Sequence, residues 1–142
     1  MRCTKKTTGA FNTAIGDRVL FNNTTGDHNA AVGAGGLPGP ALFSNTIGRF
    51  NTAVGEGTLF SNTEGNDNTA NGAGALAGNT EGSENVAVGL NALASNNTGN
   101  NNVALGNLAA FSQTTGSNNV YIGYQIEGTA GESNACYIAS IF

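Results

Sequence analysis

The stretch Asn51-Thr-Ala-Val-Gly55-Glu-Gly-Thr-Leu59-Phe60-Ser-Asn62-Thr-Glu-Gly65 is followed by a second copy of its own plan, Asn68-Thr-Ala-Asn-Gly72-Ala-Gly-Ala-Leu76-Ala-Gly-Asn79-Thr-Glu-Gly82. Equivalent positions lie 17 residues apart. Reading toward the N-terminus, the first half of the plan recurs as Asn29-Ala-Ala-Val-Gly33 and Asn12-Thr-Ala-Ile-Gly16. Toward the C-terminus it recurs as Asn85-Val-Ala-Val-Gly89, Asn102-Val-Ala-Leu-Gly106 and Asn119-Val-Tyr-Ile-Gly123. Successive starts are 17, 22, 17, 17, 17 and 17 residues apart. The second half, roughly Leu-Phe-x-Asn-Thr-x-Gly, runs Leu20 to Gly26, Leu42 to Gly48, Leu59 to Gly65, Leu76 to Gly82 and Leu93 to Gly99. Seven copies in register identify a repeat architecture.

Each unit offers two short segments suited to strands, separated by Gly, Asn and Thr. Those residues favour turns and, for Gly and Asn, positive φ. Neither segment is long enough for a helix. Identical units stacked at about 4.8 Å put like residue over like as parallel strands. The expected fold is all-β: a parallel β-solenoid of about eight coils, roughly 38 Å long. Residues 1–142 form a single solenoid domain. The five extra residues of the 22-residue interval read as an insertion loop near 36–41, holding both prolines, Pro38 and Pro40. Lengthening a surface loop costs little. Residues 124–142 read as a degenerate last coil.

The ladders follow from the register. Leu20, Leu42, Leu59, Leu76 and Leu93 stack, beside Phe21, Phe43, Phe60 and Phe111. Ile15, Val32, Val54, Val88, Leu105 and Ile122 make an aliphatic file interrupted by Asn71. Neighbouring strand residues face opposite ways, so one apolar file fills the coil while another is left outside. Monomers rarely leave such a stripe exposed, and self-association about a common axis is the simplest remedy. Asn12, Asn29, Asn51, Asn68, Asn85, Asn102 and Asn119 form a further ladder whose amides hydrogen-bond from coil to coil. Asn23, Asn45, Asn62, Asn79, Asn96 and Gln113 form a second one.

Composition narrows the function. Only 10% of the 142 residues are charged, and Trp is absent, so large side chains for a conventional enzyme core are scarce. All five basic residues, Arg2, Lys5, Lys6, Arg18 and Arg49, lie within residues 1–49, and the net charge is −4. Nucleic acid is therefore not an expected partner. No stretch approaches the ~20 apolar residues of a membrane span, and residues 1–20 lack a signal-peptide core. His28 is the one imidazole and sits in an expected turn with no partnering nucleophile. The Asp spacing does not match a calcium-binding β-roll. Val88-Gly-Leu-Asn-Ala-Leu93 fits one acyltransferase hexapeptide, but such coils need three. The sequence thus offers no catalytic, cofactor-binding or metal-binding set. Cys3 and Cys136 leave two readings, inert apolar residues or intermolecular contacts through disulfides.

These units resemble the head repeats of trimeric autotransporter adhesins. They are more similar still to the Asn-Thr-Ala-x-Gly arrays of phage tail fibres and bacterial surface proteins that often carry a C-terminal endosialidase-type chaperone. Asn51-Thr-Ala-Val-Gly-Glu-Gly-Thr-Leu59 and Asn85-Val-Ala-Val-Gly-Leu-Asn-Ala-Leu93 carry the resemblance, which covers roughly residues 7–140. It implies a left-handed β-roll, a homotrimer and an extracellular place on a cell surface or virion tail fibre. The tail Ala135–Phe142 resembles the segment preceding such a chaperone, which implies a fragment or a processed product. The function expected is a structural or adhesive fibre module: a rigid rod with outward recognition loops for a host-surface glycan or protein. The basic N-terminal and acidic C-terminal parts further suggest head-to-tail stacking into filaments, with Cys3 meeting Cys136. The alternative is a glycan- or ice-binding solenoid, the latter through aligned Thr24, Thr46, Thr63, Thr80 and Thr114.

Overall fold

The computed structural model describes residues 8–33, 35–37 and 39–139. Its regular elements are eight strands: β1 (Thr13–Ile15), β2 (Ala30–Val32), β3 (Thr52–Val54), β4 (Thr69–Asn71), β5 (Val86–Val88), β6 (Val103–Leu105), β7 (Val120–Ile122) and β8 (Cys136–Ile138). They form one parallel sheet in chain order. The register is the sequence repeat itself: Ala14 lies over Ala31, Ala31 over Ala53, Ala53 over Ala70 and Ala70 over Ala87. Eight strands in that order enclose seven turns of solenoid, one fewer than expected.

Only one segment per coil is a strand. The Leu-Phe segment, expected as a second strand, is a turn: Leu20, Leu42, Leu59, Leu76 and Leu93 have φ of 53, 49, 51, 52 and 51°. A left-handed backbone costs an L-residue about 1–2 kcal/mol. The reason it prevails is burial. Leu42, Leu59, Leu76 and Leu93 are completely enclosed, and burying a leucine is worth about 1.5–3 kcal/mol. Each also keeps its backbone ladder, as in Leu42 N–H to Thr58 carbonyl and Leu59 N–H to Ala75 carbonyl, both 3.0 Å.

The core is thin and layered. Ala31, Ala53, Ala70, Ala87 and Ala104 point inward from the strands and meet the leucine file, with Ala41, Thr58, Ala75, Ala92 and Ala109 beside it. The two buried Asn files adjoin this apolar strip and converge on a shared glycine carbonyl in each coil, as Asn51 and Asn62 do on Gly65. Strand chains end at glycines whose φ lies near 130°, such as Gly72 at 133°. A Cβ there would stand 2.5 Å from the Gly89 carbonyl oxygen of the next coil, so coils stack closely only without one. At the C-terminal end Tyr121 replaces the inward Ala and stacks on Tyr137, with ring centroids 5.6 Å apart.

The five inserted residues leave the register intact because they enter after β2 and before the next buried Ala41-Leu42 pair. The Gly39 carbonyl receives the Gly57 N–H at 2.6 Å, anchoring the loop's return. Gly35, Gly36 and Leu37 stand outside the coil, with Leu37 95% exposed.

Candidate functional site

The Asn ladders are the interior staples that their spacing predicts. In the first, the amides of Asn29, Asn51, Asn68 and Asn85 each donate to the preceding Asn and to a glycine carbonyl of the following coil. Asn68 Nδ2 reaches Asn51 Oδ1 at 3.1 Å and Gly82 O at 2.9 Å. Its Oδ1 accepts both the backbone N–H and the Nδ2 of Asn85, each at 3.1 Å. In the second ladder, Asn79 Nδ2 donates to Asn62 Oδ1 and to Gly82 O, both at 2.8 Å. One carbonyl per coil therefore joins the two ladders. All of these amides are buried except Asn12, which is half-buried.

The second ladder breaks at Gln113. Its longer side chain carries Nε2 past Asn96 to the Glu132 carbonyl at 2.9 Å. Asn96 Oδ1 and Gln113 Oε1 are left buried without partners. A third unpartnered group is the Tyr121 hydroxyl. Burial, then the neighbouring Glu132 carboxylate, push the Tyr121 phenol up to about 12. Tyr137 donates its hydroxyl to both Glu132 carboxylate oxygens, at 3.0 and 2.9 Å, and this bond holds its phenol above the usual range.

The outward side of the sheet is a different surface. Each strand sends its central residue inward and its two flanking residues outward. One outward file is Thr13, Ala30, Thr52, Thr69, Val86, Val103, Val120 and Cys136; the other is Ile15, Val32, Val54, Asn71, Val88, Leu105, Ile122 and Ile138. Neither contains a charged residue. Ile15 is 59% exposed, and Val54, Val88 and Ile138 about 40%. The face is about 34 Å long and about 10 Å wide. Its roughly 350 Å2 lie within the size range of monomer patches that carry function.

Two aromatic stacks lie elsewhere. Phe21, Phe43 and Phe60 stack at 5.7 and 5.5 Å, as their spacing requires. Phe111 stands apart from them, because Ala77 and Ala94 interrupt the file. His28 sits in the expected turn, half-exposed, and is also sandwiched between Phe11 and Phe50 at 4.8 and 4.9 Å, with Asp27 beside it at 3.4 Å. The 17-residue spacing of Phe11, and its 22-residue equivalent at Phe50, carried that signal. An open groove of about 450 Å3 runs under the insertion, lined by Asp17, Arg18, Gly35, Gly36, Gly39, Pro40, Phe43 and Phe60.

The aligned threonines are not a free hydroxyl array. Thr24, Thr46 and Thr63 donate to the carbonyls of Thr46, Thr63 and Thr80 in the next coil at 2.8, 3.0 and 3.1 Å. Cys136 is a free, exposed thiol on the outward face, and Cys3 lies outside the described residues. Among the described residues no group of His, Cys, Asp and Glu is placed to hold a metal, and no helix is long and apolar enough to cross a membrane. No protein-family model, curated protein or solved structure matches the chain.

Proposed function

We propose that the chain is a structural, adhesive fibre module that assembles with copies of itself through the outward face of its sheet. The observation that carries this reading is the uncharged, largely aliphatic pair of files running the whole length of the rod. A partner that packs into such a surface must repeat every ~4.8 Å over eight strands, and a second copy does so by construction of the fold. Three such strips about a common axis would shield one another, giving the left-handed homotrimer that the resemblance implies. The thin core supports the same reading, since a coil built mostly from Ala and Asn gains much from added burial. Display on a cell or virion surface, and end-to-end stacking into filaments, belong to this reading and are carried by the resemblance and the charge asymmetry.

Solution mass tests it. A species near three times the 14.2 kDa chain is expected at micromolar concentration. A monomer at all accessible concentrations would overturn the reading.

The insertion groove supports a second reading, recognition of a glycan. Arg18 and Asp17 offer donors and acceptors beside the Phe43 and Phe60 rings, on the one coil whose outline departs from the rest. Glycan-array binding that is lost in Arg18→Ala would support it.

A further inference from the structure

We propose that Asn71 fixes the axial register in which copies of this chain assemble. This rests on the self-association reading above. The outward file from Thr13 to Cys136 changes composition along the rod, but the file from Ile15 to Ile138 is aliphatic in every strand except β4, so apolar burial along it specifies alignment weakly. Two copies slipped by one strand recover seven of their eight layers. A surface of that kind needs one position that is unlike the others.

Asn71 is that position. In its file it lies between Val54 and Val88, with which it is paired in the sheet. Its backbone carbonyl receives the Gly89 N–H at 2.9 Å, but its side-chain amide has no partner among the described residues. The amide is exposed, unlike the buried, fully bonded amides of the ladders. When copies align strand for strand, Asn71 meets Asn71, and donors can pair with acceptors across the axis. After a slip of one strand it meets Val54 or Val88, and the amide is buried unpaired. Each unpaired amide lowers association about tenfold or more. A lone polar residue in an apolar seam sets register in this way elsewhere, at some loss of stability. Asn71 also favours parallel copies. It sits on the fourth of eight strands, so parallel alignment overlaps all eight, whereas antiparallel alignment on Asn71 overlaps only seven.

Cys136 is a built-in reporter, because it lies on the same face in β8 and is free. Strand-for-strand alignment puts the Cys136 residues of two copies in the same layer, the register closest to what a disulfide requires. A one-strand slip places it opposite Val120. The experiment uses the full chain carrying Cys3→Ser, treated with a mild oxidant, with non-reducing electrophoresis and solution mass as readouts. The parent should form Cys136–Cys136 dimers, up to two chains of every three in a trimer. Asn71→Val should keep the assembled mass, associate more tightly, and lose at least half of that cross-linking. Asn71→Val combined with Val88→Asn, which moves the amide by one coil, should restore it. Cross-linking unchanged in Asn71→Val overturns the inference, as does an assembled parent that never cross-links. A monomeric parent instead overturns the self-association reading, and the inference falls with it.

Discussion

Replacing Gln113 by Asn should stabilise the protein. In the four coils above the break the second ladder is continuous: the Nδ2 groups of Asn45, Asn62, Asn79 and Asn96 each donate to the preceding Asn Oδ1 at 2.8 Å. Gln113 is one methylene too long to repeat that contact, and two buried oxygens are left unpartnered. An Asn at 113 places its amide where the other ladder members hold theirs, against Asn96 Oδ1 and the Gly116 carbonyl. The bond given up is the one to the Glu132 carbonyl, which keeps its 2.7 Å bond from Asn119 Nδ2. Satisfying one buried acceptor is worth about 1–3 kcal/mol. The side-chain oxygen of the new Asn remains at the ladder's end and takes back part of that gain. A net stabilisation of about 1–2 kcal/mol is expected, or roughly 3–6 °C in Tm. Urea titration of the parent and variant at matched protein concentration measures it. Gln113→Ala is the control, since it leaves Asn96 Oδ1 unpaired and should not stabilise. Equal or lower stability of Gln113→Asn would refute the reasoning that the ladder breaks through side-chain length.

Asn68→Ala removes four side-chain hydrogen bonds and leaves the Asn85 backbone N–H without an acceptor. A loss of about 3 kcal/mol is expected in the same titration. Tyr121→Phe deletes a buried, unpartnered hydroxyl and should be neutral or slightly stabilising at pH 7. It should also flatten the alkaline limb of the stability curve. The folded phenol titrates near 12, above its value of 10.0 in an ordinary setting, so the unfolded chain loses its proton first. Tyr121's contribution is therefore full below pH 10 and is lost as pH rises toward 12. Thermal melts between pH 8 and 12 would show the difference.

The residues that made the fold legible are those whose chemistry repeats for an internal reason. A seventeen-residue Asn period can be read as a ladder because an amide is both donor and acceptor, so stacking satisfies it. Ala14 and its equivalents could be read as a file for the same geometric reason. What escaped was conformation chosen by the tertiary fold. Nothing local marks Leu59 for a left-handed backbone; burial in the coil overrides its preference, turning an expected strand into a turn. The Phe11–His28–Phe50 stack escaped because its members share no chemical type, only a position. The outward face was half legible: an apolar file had to lie outside, but alternation alone does not say which one.

That distinction also separates structure from recognition along the rod. Interior positions keep one residue type through most coils, because each must fit the copy above and below it, with Thr58, Gln113 and Tyr121 among the exceptions. The turn position just before each ladder Asn runs Phe11, His28, Phe50, Asp67, Glu84, Asn101 and Asn118, and continues as Asn134 before Ala135, all with φ between 54 and 62°. The backbone there is fixed while the side chain is free to differ, so the strain of about 1–2 kcal/mol recurs in every coil. Where aromatic neighbours stack, as in the first three coils, about 0.5–1.5 kcal/mol per pair offsets it. Asp67 and Glu84 make no such contact and gain instead by facing water. One edge of the rod thus changes from aromatic to acidic to amide along its length, while the sheet face stays uncharged. A fibre with that cross-section keeps its assembly surface uncharged and varies what it presents at its edge, which is the division of labour the proposed module requires.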